Sequence, residues 1–111
     1  MKMKKQTIKL PIYIGNLTFI RTKKTNKLRK KFGDRIPKNF KDYDAFVFWE
    51  SNNEYYVVFR KNLKGHIISH EMVHLVNRIF YDHGIDLDIL NDEPQAYLHS
   101  WLFKQTQKFL R

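Results

Sequence analysis

The chain has 111 residues, enough for one domain with a modest hydrophobic core, and we expect a single domain over residues 1–111. Its 42% hydrophobic and 15% aromatic residues exclude a disordered or fibrous protein, and its lack of cysteine excludes disulfide bonds and thiolate metal ligands. The net charge is +10, and no stretch approaches the roughly 18 apolar residues of a membrane span, so we expect a cytoplasmic protein with no membrane partner.

The chain begins with two predicted strands. Residues 7–14 and 17–21 are rich in side chains that favour strands. The pair Gly15-Asn16 between them is typical of a tight hairpin turn. We therefore expect an antiparallel hairpin at the start of the fold.

A short basic helix is predicted next. Residues 23–32 (KKTNKLRKKF) place Leu28 and Phe32 four positions apart, and Gly33 is suited to end the helix. Residues 36–44 follow and are predicted to form a loop.

The middle of the chain predicts a second hairpin. Residues 45–50 (AFVFWE) and 54–60 (EYYVVFR) have the composition of strands. Residues 51–53 (SNN) between them favour a turn. This hairpin is the strongest strand signal in the sequence.

From Lys64 onward the pattern changes to helix. An apolar stripe recurs at the i, i+4, i+7, i+11 spacing of one helix face, at Ile68, Met72, Leu75 and Ile79. Gly84 is a natural stop, and residues 85–91 are predicted to be a connection.

A second long helix is predicted over residues 92–110. Asn91 or Asp92 would cap it, and Pro94 is acceptable in its first turn. The buried side is predicted to include Ala96, Trp101, Leu102, Gln105 and Phe109. The sequence thus predicts an α+β fold, a small and mostly antiparallel sheet of hairpins followed by two packed helices.

The motif HEMVH, at residues 70–74, carries the clearest chemical signal. His70 and His74 are one helical turn apart and share a face, which allows both imidazoles to bind one zinc ion. Glu71 lies beside that face, where it is suited to take a proton from a water held on the metal. The alternative is a helix that carries two surface histidines with no metal.

A catalytic zinc site usually has a third protein ligand and leaves its fourth position for water. A histidine six residues after His74 is excluded, because position 80 is Phe. The remaining candidates are His83, His99, Asp86, Asp88, Asp92 and Glu93. We favour Glu93, because it follows a glycine-containing turn and begins a helix that can fold back along the first. His66 is expected to start the helix and to bind no metal.

The motif HEMVH, an eighteen-residue gap and the glutamate of NDEPQA resemble the gluzincin clan of zinc metallopeptidases. The gap matches the zinc aminopeptidase branch, and Ala96 falls three residues after Glu93, as in that branch. The domain also resembles short zincin-like proteins of phages and prophages, which implies the cytoplasm of a bacterial or phage-infected cell. The resemblance covers about residues 45–110.

The resemblance implies one Zn²⁺ per chain, held by His70, His74 and Glu93. It also implies that the protein hydrolyses a peptide or protein substrate, with Glu71 as the general base. It also implies that residues 54–60, or the other strand of that hairpin, bind the substrate by edge pairing. The thermolysin-like pattern has an aspartate where this chain has Tyr97, so the second shell stays open between Asp92, Asn77 and backbone carbonyls. The candidates to stabilise the oxyanion are Tyr97, His99, Tyr81 and His83.

Basic residues are concentrated at the front of the chain. Residues 1–41 contain 14 Lys and Arg and one acid, Asp34, a balance of +13, whereas residues 42–111 contain 7 against 10 acids, a balance of −3. Such a block suits nucleic acid, an anionic surface or an acidic protein, and a solvated lysine surface is the plain alternative. The competing hypothesis for the whole chain is therefore a basic binding module with a structural or vestigial metal site.

Overall fold

The computed structural model describes residues 3–24 and 26–111. In chain order the elements are β1 (Lys4–Lys9), β2 (Asn16–Arg21), α1 (Asn26–Phe32), β3 (Ala45–Glu50), β4 (Glu54–Phe59), α2 (Gly65–Asp82) and α3 (Glu93–Leu110). Two short 3₁₀ turns, Gly33–Arg35 and Phe40–Asp42, separate α1 from β3. The α+β fold class is confirmed: a four-stranded, mostly antiparallel sheet is followed by two long helices.

The sheet has the strand order β1-β2-β4-β3. The two hairpin pairs, β1 with β2 and β3 with β4, are antiparallel, and the central pair of β2 and β4 is parallel. Leu17 and Phe19 of β2 stand beside Tyr55 and Val57 of β4 in this parallel register. As a result, β1 and β3 are the two edge strands, and β4 has a neighbour on each side.

The two faces of the sheet bury different elements. Because side chains alternate along a strand, Phe19 and Val57 point to the face that α2 and α3 cover, whereas Ile20 and Val58 point to the opposite face. On that opposite face α1 packs its buried residues Leu28 and Phe32, together with Ile36 and Phe40 of the following segment. The sheet therefore lies between two layers, of which the α1 layer is the smaller.

Helix α2 presents the predicted stripe to the sheet. Ile68, Met72, Leu75 and Ile79 are all buried. Burying each such side chain stabilises the fold by roughly 1.5–3 kcal/mol. The stripe anchors the HEMVH motif, because it fixes which side of α2 is left for other contacts.

The buried side of α3 differs in part from the prediction. Leu102 and Phe109 are buried as predicted, but Ala96 is exposed, which makes its assignment to the core wrong. Leu98 occupies the core, and two residues along a helix correspond to about 200°, so Ala96 points away from it. Trp101 and Gln105 are half-buried, and Thr106 is buried although it was not predicted to be.

Asp92 is the N-cap residue of α3, and its side chain makes no capping hydrogen bond. Pro94 lies in the first turn, as predicted. Within the described residues, neither long helix is apolar enough along its length to cross a membrane.

The first hairpin has a longer loop than predicted. β1 ends at Lys9, and the Leu10 N–H donates to the Gly15 carbonyl across a connection of residues 10–15. Pro11 has no N–H to continue the pairing, which accounts for the early end of the strand. Gly15 has φ +136°, and a Cβ there would lie 2.4 Å from the Asn53 carbonyl oxygen, so only glycine fits where the two hairpin turns meet.

Candidate metal site

A cleft of about 570 Å³ lies between the edge strand β3 and helix α2. The strand side is formed by Ala45, Phe46, Val47 and Trp49, with Tyr43 just before the strand. The helix side is formed by His70, Glu71, His74, Asn77, Arg78 and Tyr81. All three chemical residues of the HEMVH motif therefore line one cleft.

The two histidines of the motif point at each other. Their ring centroids are 4.9 Å apart, and their Nε2 atoms are 3.2 Å apart. Two nitrogen ligands at 2.0–2.1 Å from a tetrahedral zinc ion stand about 3.3 Å from each other. The spacing of His70 and His74 therefore fits two corners of a zinc site, while without a metal one imidazole donates a hydrogen bond to the other.

The side chain of Glu71 lies deeper than the histidines. It is 7% exposed, whereas His70 and His74 are both exposed. Burial raises the pKa of the Glu71 carboxyl above its ordinary value, and the neighbouring charges of His70 and His74 oppose that rise. A carboxyl beside two potential metal ligands, with its pKa moved towards neutrality, is suited to act as a general base.

Glu93 is the first residue of α3, and its side chain is exposed. It does not join the two imidazoles. Across residues 3–24 and 26–111, no three side chains of His, Asp or Glu converge into a metal-binding group. The described structure thus assembles two of the three expected zinc ligands.

The start of α3 nevertheless borders the same turn of α2. A second cavity of about 270 Å³ lies between the two helices and is lined by Val73, Val76, Asp92, Gln95, Ala96 and His99. Val73 belongs to the helical turn that carries His70 and His74. Asp92, the residue before Glu93, lines the same cavity as Val73 and therefore lies near that turn. Residues 86–94 are exposed throughout, so few contacts hold this part of the chain in one position.

The candidates for the second shell and the oxyanion divide into two groups. Asn77 and Tyr81 line the cleft with the histidines. Tyr97 is 61% exposed and does not line the cleft, and Asp92 borders the second cavity instead. Among these candidates, Asn77 and Tyr81 are the ones that share the cleft with His70 and His74.

His83 and His99, the two histidine candidates among these, have their own partners. The Nε2 atom of His99 lies 3.2 Å from the Ser69 hydroxyl, where α3 packs on α2. Both ring nitrogens of His83 face backbone carbonyls, those of Ile79 at 2.7 Å and Ile14 at 2.9 Å. Neither His83 nor His99 lines the cleft, which leaves both outside the candidate site.

Sequence reasoning missed a polar network that includes Arg78, Trp49 and Tyr81 of the cleft lining. The guanidinium of Arg78 lies over the rings of Trp49, at 4.7 Å, and Tyr81, at 4.9 Å, and pairs with Asp82 at 3.0 Å. The Tyr55 hydroxyl in turn donates to Asp82 at 2.8 Å. The i, i+4 spacing of Arg78 and Asp82 is the signal in the sequence that indicates this pair.

Tyr55→Phe is expected to weaken this network in a pH-dependent way. Burial and the bond to Asp82 raise the pKa of Tyr55 above its ordinary value of 10.0, so the unfolded chain loses this proton at a lower pH than the folded protein does. The stabilising effect is therefore complete below pH 10 and declines above it. The variant should lose about 1.5–3 kcal/mol at neutral pH and show a shallower decline in stability above pH 10.

Chemical unfolding of both proteins at neutral and alkaline pH measures the effect of Tyr55→Phe. Tyr97→Phe is the matched control, because the Tyr97 side chain is exposed. Equal losses of stability in the two variants would contradict a role for the hydroxyl of Tyr55.

No protein-family model, curated protein or solved structure matches the chain. The candidate site is therefore described by its own geometry alone: two facing imidazoles, His70 and His74, and the buried Glu71 line the same cleft.

Proposed function

We propose that the protein is a zinc-dependent metallopeptidase, with His70, His74 and Glu93 as metal ligands and Glu71 as the general base. One observation carries the proposal: the Nε2 atoms of His70 and His74 lie at zinc-ligand spacing, 3.2 Å apart, in the same cleft as the buried Glu71 carboxyl.

Each residue has a defined task in peptide hydrolysis. A bound zinc ion would supply Lewis-acid chemistry, since it would polarise a carbonyl and lower the pKa of a coordinated water to about 7. The Nε2 atoms of His70 and His74 would hold that ion. Glu71 would accept a proton from the attacking water and deliver it to the nitrogen of the leaving amine. Because burial raises its pKa, the Glu71 carboxyl holds that proton more readily than an exposed carboxyl does.

The expected substrate is an extended peptide that pairs with β3. Strand β4 has hydrogen-bonded neighbours on both sides, so residues 54–59 cannot accept another strand. Strand β3 has β4 on one side only, and its residues Ala45, Val47 and Trp49 line the cleft beside His74. Edge pairing on β3 would therefore place a peptide bond next to the proposed metal ligands.

Substitution of Glu93, the third proposed ligand, tests the proposal most directly. The start of α3 borders the turn of α2 that carries the histidines, and in this proposal that end of α3 moves so that the Glu93 carboxylate reaches the ion. Glu93→Gln should then lower zinc affinity more than the 10- to 100-fold typical of an outer-shell partner. Zinc titration against a competing chelator measures this affinity, and hydrolysis of a denatured protein substrate measures activity.

Asp86→Asn is the matched control for Glu93→Gln, since Asp86 is an exposed acid on the same connection. It should bind zinc as the wild type does. If Asp86→Asn alone bound zinc more weakly, the third ligand would be Asp86 and not Glu93. A wild-type protein that takes up no zinc and cleaves no substrate would refute the metallopeptidase itself.

A second function is favoured by a separate observation, the basic balance of +13 over residues 1–41. In that case the chain is a binding module for nucleic acid or an acidic protein, and any metal at His70 and His74 is structural or vestigial. Zinc uptake without hydrolysis of any substrate in a broad panel would support this function over the peptidase.

A further inference from the structure

Four exposed lysines form a surface that we call the basic ridge: Lys5 of β1 and Lys27, Lys30 and Lys31 of α1. Helix α1 packs on the face of the sheet opposite to α2 and α3. Lys27 and Lys31 are four positions apart, so they share one side of α1. Lys5 is paired with Ile20 of β2, and Ile20 packs in the same cluster as Leu28 and Phe32, so Lys5 lies on the face of the sheet that α1 covers.

The charges of the basic ridge have no acidic partner among the described residues. The salt bridges there join Arg35 to Glu50, Lys61 to Asp44 and Arg78 to Asp82. The side chain of Lys31 and slight burial lower the pKa of Lys5, as expected when two cations lie near each other. An anion bound between Lys5 and Lys31 would relieve this repulsion.

Edge protection accounts for only part of the basic ridge. Lysines on an edge strand such as β1 discourage pairing with another chain. Edge protection does not apply to a helix, yet the α1 sequence NKLRKKF contains four basic residues and no acidic residue. A surface that serves solubility alone intersperses both signs of charge. A polyanionic partner would account for Lys27, Lys30 and Lys31.

The shape of α1 distinguishes between classes of partner. A helix that binds a membrane surface turns its apolar side to the lipid, but the apolar residues of α1, Leu28 and Phe32, are buried against the sheet. Protein interfaces are depleted in lysine and rely on aromatic and arginine anchors, and the ridge offers lysines alone. Single-stranded nucleic acid is bound by stacking on aromatic rings, of which the four ridge residues have none.

We propose that the basic ridge binds the phosphate backbone of double-stranded nucleic acid without selecting a base sequence. Lysine ammonium groups neutralise phosphates as point charges, and such contacts carry no sequence information. The ridge and the cleft lie at different layers of the fold, since α1 covers one face of the sheet and α2 the other. Duplex binding therefore holds whether or not the cleft hydrolyses peptides.

The test measures fluorescence anisotropy of a labelled 20-base-pair DNA duplex of random sequence, titrated with the full chain at several salt concentrations. Four phosphate contacts predict a slope of log K against log salt of about −3.6. The variant Lys27→Gln/Lys31→Gln should lower the magnitude of this slope by about 1.8 and weaken binding at least about tenfold near 0.1 M salt. A duplex RNA of the same length should bind through the same lysines.

The variant Lys104→Gln/Lys108→Gln is the matched control, because it removes two exposed lysines with the same four-residue spacing from α3. It should bind the duplex with nearly the wild-type slope. If both double variants bound the duplex equally weakly, the proposal would be overturned, because binding would then depend on the net charge of the protein and not on the basic ridge. Binding to phosphatidylserine vesicles with no binding to either duplex would also overturn it.

Discussion

Glu71→Gln is expected to abolish hydrolysis and to leave zinc bound. The amide has nearly the shape of the carboxylate and cannot accept a proton, so the loss should be the roughly 10²- to 10⁴-fold that a general base contributes. Glu71 follows His70 by one position on α2, and its carboxyl lies inside the cleft beside the two imidazoles without being one of the proposed ligands. Initial rates and zinc per chain, measured on the same preparations, check both parts of the prediction.

The fold is expected to survive this substitution. Burial raises the pKa of Glu71, which means that the folded state disfavours its charged form, and a neutral glutamine avoids that cost. The metal-free variant should therefore be at least as stable as the metal-free wild type at neutral pH. Retained activity in Glu71→Gln would exclude Glu71 as the base, and loss of zinc would indicate that it binds the ion.

His74→Asn should remove both zinc and activity. Only one of the two facing imidazoles remains, and a single nitrogen holds the ion far more weakly than the pair does. We expect zinc affinity to fall beyond the 10- to 100-fold range of outer-shell changes and hydrolysis to reach background. Metal analysis after dialysis against a chelator, followed by activity assays with added zinc, measures both.

His66→Asn is the matched control, because His66 is an exposed histidine one turn before His70 on the same helix. It does not line the cleft, so the variant should keep zinc and activity. If His66→Asn lost zinc and His74→Asn kept it, the metal would be bound by His66 and His70, one turn nearer the start of α2.

The secondary structure could largely be predicted because local patterns determine it. The apolar stripe of α2 and the two strands of the second hairpin have clear periodicities, and the structure confirms them. The parallel pairing of β2 with β4 could not be predicted, since it joins Asn16 to Glu54 across a long stretch of chain and no local pattern specifies a strand's partner. The layer formed by α1 was missed for the same reason.

The candidate site divides in a similar way. The approach of His70 to His74 follows from helix periodicity alone, and the structure brings the two rings together. The burial of Glu71 depends on where β3 packs, which requires the sheet order. The position of Glu93 depends on the angle and depth at which α3 meets α2, and sequence spacing sets only how far the connection can reach.

The interior position of β2 in the sheet determines whether the protein can be truncated. The strand belongs to the lysine-rich front of the chain, yet its Leu17 and Phe19 are buried in the same core as Met72 of the HEMVH helix. Deleting the front would uncover one side of β4 and leave that core without its neighbours. The two halves therefore form one folding unit, and the two proposed activities can be tested separately by point substitution but not by truncation of the chain.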